Sequence, residues 1–469
     1  VSNGVVRVAY RAGFTQLANL VIAAGATFAV DEDAWGVYAD ALVSDTGATI
    51  MIGGVQQVVC RSARIGGQPV AEGTYDETSG YFTGTGKLVV SSATAAPNFW
   101  KGGSTGVWNK PENWSRATVP AAGERVLIGG TGAAVSVILS ESTPRLADFR
   151  LGEGTTLSFN GTNVCLDAGI VQIDGMVTAG GPFTNEETRT RVWISCDDLV
   201  VNRSGSIDVS AKGWAAGSGP GTPRSNQTAY GASHGGVGGA YISVINSWFA
   251  PGVYGDADAP TEPGSGGCAG GTAGGGAVRI ESTGLVRVDG AIRASAGSIP
   301  PALSLADRSC GAGGSVWISC AKFTGSGGSV FADGGSSDFG GGPKFITYYA
   351  QGQEIDKSQA GGGGRIRITY GADQAAETPD VSVSAAAGGY QGFSNGSGRL
   401  TAATHDKYFA DADLGTVTFT DDVLIRQLLG RRLSGRLVGV SSYVHTGDLS
   451  WTSGHVRFAG TGSCVRITG

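Results

Sequence analysis

The chain has 469 residues, of which 81 are glycine and only 15 proline; 15% are charged and the net charge is −6. So sparse and slightly acidic a charge content excludes a phosphate backbone as the main partner, and no nucleic-acid partner is expected. The glycines lack collagen's strict every-third spacing, and no apolar run approaches the roughly 18 residues of a membrane span.

Residues 1–96 read as an N-terminal β-rich repeat module. VVRVAY, LANLVIAAGATFAV and ATIMIGGVQQVVC alternate apolar and polar residues between Gly, Asp and Thr, with no helix of convincing length. Residues 97–190 read as a capping β module. It carries Trp100, Trp108 and Trp114, whose bulk is expected to cover the first open coil and an exposed strand edge rather than to line a carbohydrate site.

Residues 191–469 read as a glycine-rich repeat. Its cleanest copy, AVRIESTGLVRVDGAIRASAG from Ala277, follows GGTAGGG and contains three short alternating strands. Val278, Ile280, Val286, Val288, Ile292 and Ala294 then face inward. Related copies start at Arg191, Ser315 and Arg365. Aligned, they predict one inward column of Val192, Ile194 and Cys196, Val278 and Ile280, Val316, Ile318 and Cys320, and Ile366 and Ile368. A second column would hold Ile207, Ile292, Val330 and Val381. The outward position of the same strands carries Trp193, Arg279, Trp317 and Arg367, which predicts a ladder of alternating indole and guanidinium groups about 4.8 Å apart.

Such self-similarity predicts an all-β fold of the right-handed parallel β-helix (β-solenoid) type, with long loops emerging at one corner and glycines gathered at the coil corners. The loops at 214–276, 298–314, 336–364 and 390–413 are where a binding surface is expected. Candidate ligand-binding residues are Tyr230, His234, Tyr254, Trp193 and Trp317. Asp256 and Asp258 are the candidate metal ligands, with calcium the one cofactor they admit. Among the seven cysteines, Cys196 and Cys320 read as buried small apolar groups, whereas Cys268 and Cys310 could form a disulfide in an oxidising compartment.

Several segments resemble known families. GTY followed by FTGTGKLVV resembles repeat ends in bacterial autotransporter passengers. WKGGSTGVWNKPENW resembles a module that precedes β-helices in secreted multi-repeat bacterial proteins. The glycine-rich segments to about Gly389 resemble secreted bacterial β-helix repeat proteins of the adhesin-like surface type. The resemblance implies a secreted, extracellular or cell-surface location. The chain starts at Val1 and ends in mid-pattern at CVRITG, so it is expected to be a mature or trimmed piece of a longer secreted protein.

The leading expectation is a structural or adhesive surface protein, whose partners are surface glycans or itself, with filaments formed by end-to-end stacking of its bare terminal strands. The alternative is a polysaccharide-active enzyme, lyase before hydrolase. Carboxylate pairs exist at Asp197 and Asp198, Asp256 and Asp258, and Asp411 and Asp413, but the GHG and RIK tripeptides of polygalacturonases are absent. Lyase bases could come from His234, Arg308, Lys344, Tyr348 or Tyr349.

Overall fold

The computed structural model describes most of residues 2–385, the longest internal gaps being 224–230, 300–308, 337–347 and 372–378, and beyond them strand backbones within 416–468. Among the described residues the helical elements are three short 3-10 turns, Glu77–Ser79, Pro111–Asn113 and Glu186–Thr188. The rest of their regular structure is β, and among the described residues no helix is long and apolar enough to cross a membrane.

Residues 5–90 build two sheets. Val5–Val8, Thr27–Val30 and Thr49–Ile52 pair in parallel as one. Thr15–Ile22, Val37–Ser44, Gln57–Ile65 and Lys87–Val90 form the parallel part of the other. Alternation along these strands turns Phe28, Val30, Leu42, Ile52, Val58 and Leu88 into a single core.

A second core runs from Trp100 to Ala385 and draws on a ten-stranded and an eight-stranded sheet. Its first strands are Asn98–Phe99 and Thr105–Val107. Here the three tryptophans are buried: Trp114 lies edge-on to Trp100 and Trp108, with ring centroids 5.3 and 4.7 Å away, and Trp108 reaches Phe149. The Trp114 indole N–H donates to the Trp108 carbonyl at 2.8 Å, which satisfies its one polar atom inside the core.

Further along, Val192–Val201, Ala277–Ser282, Ser315–Ser319 and Arg365–Thr369 are neighbours in the ten-stranded sheet. Their register pairs Val192 with Val278, Val316 and Ile366, and Ile194 with Ile280, Ile318 and Ile368. All eight are at most 2% exposed. Each is worth roughly 1.5–3 kcal/mol of apolar burial. In the eight-stranded sheet Ile207, Ile292 and Val330 align as expected, but the next rung is Val383, not Val381. The pairing shifts between Ser326 and Gly328, and Val381 falls opposite Gly328.

The architecture differs from the right-handed parallel β-helix expected above. The strands gather into several large parallel sheets, of which the ten- and eight-stranded ones are the largest, rather than into one solenoid of three-strand coils. Alternation fixes which face of a strand is buried and says nothing of how successive strands are distributed among sheets. The long loops do not simply leave at one corner either. Their glycine-rich parts, 213–221, 231–236, 263–276, 309–314 and 360–364, are largely buried and hydrogen-bonded to one another outside any strand. Gly264 N donates to Gly275 O, Gly275 N to Ala312 O, Gly313 N to Gly362 O, and Gly362 N to Ala232 O, at 2.8–2.9 Å.

This glycine layer explains the composition. Gly275, Gly314 and Gly361 have no positive φ, yet a β-carbon on any of them would overlap a carbonyl oxygen of the adjoining segment. Close approach of backbone to backbone is what the absent side chain permits. Cys268 and Cys310 lie within the layer, 1% and 0% exposed, and no disulfide joins them. Burial pushes the Cys310 thiol up to about 12. Cys196 and Cys320 are buried in the second core.

The two cores meet through a polar seam. Arg150, 2% exposed, donates from Nη1 to Gln172 Oε1 at 2.6 Å and to Gln56 Oε1 at 3.1 Å. Gln172 Nε2 donates to the Ala34 carbonyl, and Arg125 bridges Gln57 and Asp148.

Candidate functional site

The outward face of the ten-stranded sheet carries the predicted ladder. Trp193 pairs with Arg279, Arg279 with Trp317, and Trp317 with Arg367. The Arg279 guanidinium carbon lies 4.5 Å from the Trp193 ring centroid and 5.0 Å from that of Trp317. Glu281 ties the group together, accepting from Trp193 Nε1 at 2.8 Å and pairing with Arg279 at 2.9 Å. Each cation over a ring contributes about 0.5–1 kcal/mol at an exposed site. All four ladder residues are half-buried.

A loop at 251–263 crosses the end of this ladder. Arg367 Nη1 meets Asp258 Oδ1 at 3.0 Å, Arg365 donates to the Tyr254 carbonyl, Ser315 Oγ donates to the Glu262 carbonyl, and Glu262 pairs with Arg189. Sequence reasoning missed Arg189, Glu262, Ser315 and Arg365 as anchors. Their contacts join segments far apart in the chain, and no local pattern distinguishes them.

Of the candidate ligand residues, His234 and Tyr254 do come together, with ring centroids 4.7 Å apart. His234 is closed to a substrate, and Tyr254 is half-buried with its hydroxyl engaged. His234 is fully buried under the glycine layer, where Nδ1 donates to the Gly313 carbonyl at 2.7 Å and Nε2 has no partner. Burial, reinforced by the Arg365 cation, pushes its pKa from 6.5 down to about 3, so the imidazole is neutral at physiological pH. The Tyr254 hydroxyl donates to the Pro263 carbonyl and accepts from Ser265, and burial pushes its pKa up. Both rings therefore anchor the loop. Tyr230, Arg308, Lys344, Asp411 and Asp413 lie outside the described residues, as do the side chains of Tyr348 and Tyr349.

Among the described residues the acidic pairs do not converge either. Asp258 faces Arg367, while Asp256 Oδ1 accepts the Asp258 backbone N–H at 2.7 Å and so closes its own turn. Both were expected as calcium ligands, and here each carboxylate has a contact within the protein. Among the described residues no group of three His, Cys, Asp or Glu side chains is placed to hold a metal. Asp197 pairs with Arg145, and Asp198 accepts the Leu285 N–H. Asn202, which begins the triplet Asn202-Arg203-Ser204 of the N-x-S type, is 1% exposed and bonded to Asp174.

His234 carries a pH dependence whose sign is fixed. Below about pH 6.5 the unfolded chain binds a proton that the folded chain refuses until about pH 3, so this residue subtracts stability as pH falls through that window. The expected cost is about 1.4 kcal/mol per pH unit. Urea melts of the parent and of His234→Gln between pH 7 and pH 4 should diverge by that slope, the variant losing less stability on acidification. Parallel curves would show that the histidine is solvated.

Set against family models, curated proteins and solved structures, the chain finds no match.

Proposed function

We propose that the chain is a structural or adhesive surface protein of a secreted bacterial kind, a stiff scaffold that presents its sheet faces to surface glycans or to further copies of itself. One observation carries this reading: the same inward and outward side chains stack in register through successive strands of the ten-stranded sheet. A stack of this kind resists bending because each rung packs and pairs with the next. The outward row is flat and internally paired, which suits surface contact better than the enclosure of a reacting bond. Edge strand Val5–Val8 adds a surface for self-association, with Val5 63% and Val6 45% exposed.

The test is to incubate the purified chain with neutral and uronate-bearing polysaccharides and follow polymer length and unsaturated products. Unchanged polymers, together with cosedimentation of the protein with polysaccharide or its growth into larger species by light scattering, are the expected results. Shortening of any polymer by the chain would overturn the reading in favour of a lyase or hydrolase.

A further inference from the structure

The two apolar cores have no member in common. Among the described residues no strand of residues 5–90 pairs with a strand of the second unit, and no backbone-to-backbone hydrogen bond joins the two. What crosses the seam is side chains. The register of the ten-stranded sheet sets Arg150, Gln172, Val200 and Arg287 in one outward row on successive strands, and the N-terminal unit lies over it. Arg150 meets Gln56 at 3.1 Å, Gln172 donates to the Ala34 carbonyl at 2.9 Å, and Arg287 meets Glu32 at 3.3 Å.

This contact is less well closed than either core. A cleft of about 520 Å³ runs along it, between Glu32, Val55 and Thr85 on one side and Val200, Arg287 and Thr324 on the other. Arg150 is 2% exposed, its Nε has no hydrogen bond, and its ion pair with Asp148 is 3.5 Å long. Docking strips water from that guanidinium and offers two amide oxygens in exchange, so desolvation works against the closed seam and opening would return the water. Burial accordingly holds its pKa below the ordinary value. A polar contact between two separately packed units permits relative motion in a way that a large apolar one does not.

We propose that the N-terminal unit is a reversible cover, which lifts off the ten-stranded sheet with both cores intact and uncovers the row from Arg150 to Arg287. The closed form hides that row. The open form presents its two guanidiniums and its amide as hydrogen-bond donors on a sheet that has not otherwise changed. Neither the ladder nor the Val5–Val8 edge takes part, so this proposal and the scaffold reading fail independently.

The experiment places single cysteines at Val200 and at Val201 in the full chain, replacements that change little volume. Val200 faces the seam and is 1% exposed, whereas Val201, on the opposite face of the same strand, is 0% exposed within the second core. Pulses of a thiol reagent, read site by site by mass spectrometry, should modify Val200→Cys at least about 100-fold faster than Val201→Cys. The rate at Val200→Cys should depend little on dilute urea, because opening the seam exposes far less surface than unfolding, and that at Val201→Cys should climb steeply. Glu32→Arg, at a side chain 63% exposed, sets two cations against each other across the seam and should speed modification of Val200→Cys about tenfold while leaving Val201→Cys unchanged. Equal rates at the two positions, an equally steep urea dependence, or no response to Glu32→Arg would each overturn the proposal.

Discussion

Replacing Gly314 by alanine should destabilise the chain by about 3 kcal/mol or more, although the change adds a single methyl group. The methyl would overlap the Gly276 carbonyl oxygen, with the Gly275 backbone immediately behind it. No side chain there can rotate away. Relief requires separating two backbone segments that are bonded through Ser315 N to Gly276 O and Gly314 N to Ala294 O. The control is Gly252→Ala, at an exposed position where a β-carbon meets nothing within 4 Å, and it should stay within about 0.5 kcal/mol of the parent. Chemical denaturation of both variants decides the matter. Equal midpoints would mean that the glycine layer is loosely packed.

Ile318→Asp should be as damaging for a different reason. Ile318 is fully buried between Ile280 and Ile368, in a stretch of the second core whose contacts are apolar. A carboxylate placed there has no cationic partner and must take up a proton or open the sheet, at a cost of several kcal/mol. Ile318→Val, which keeps the shape and loses one methylene, should cost only about 0.5–1.5 kcal/mol. A normal melt for the aspartate variant would place this side chain outside the core. The two isoleucine variants separate the effect of charge from that of volume.

The inward residues of the Ala277–Ser282 strand were legible because strict alternation leaves one arrangement that buries Val278 and Ile280 together. The Trp193 to Arg367 ladder was legible for the same reason: parallel stacking puts equivalent positions of repeated strands side by side. Alternation is blind to a slip of two residues, which preserves the face. That is how Val383 came to occupy the rung expected for Val381, past the irregularity at Ser326 and Gly328. It is equally blind to what covers an outward face. Arg150 and Gln172 occupy polar positions of ordinary strands, yet the N-terminal core buries both.

The candidate site was harder to read. His234 and Tyr254 stack with ring centroids 4.7 Å apart, a contact and a depth of which a loop sequence gives no sign.

The glycine layer also decides where the chain can be cut. A protease that chooses its bond by seating one large or charged side chain in a pocket finds no such handle in GSGGCAGGTAGGG, CGAGG or AGGGG. Nor can these segments be drawn out singly into an extended strand, since each is bonded to its neighbours on more than one side. Digestion must begin elsewhere, at exposed basic residues such as Lys101, Arg203 or Lys322, and should leave these glycine segments uncut inside the fragments that result.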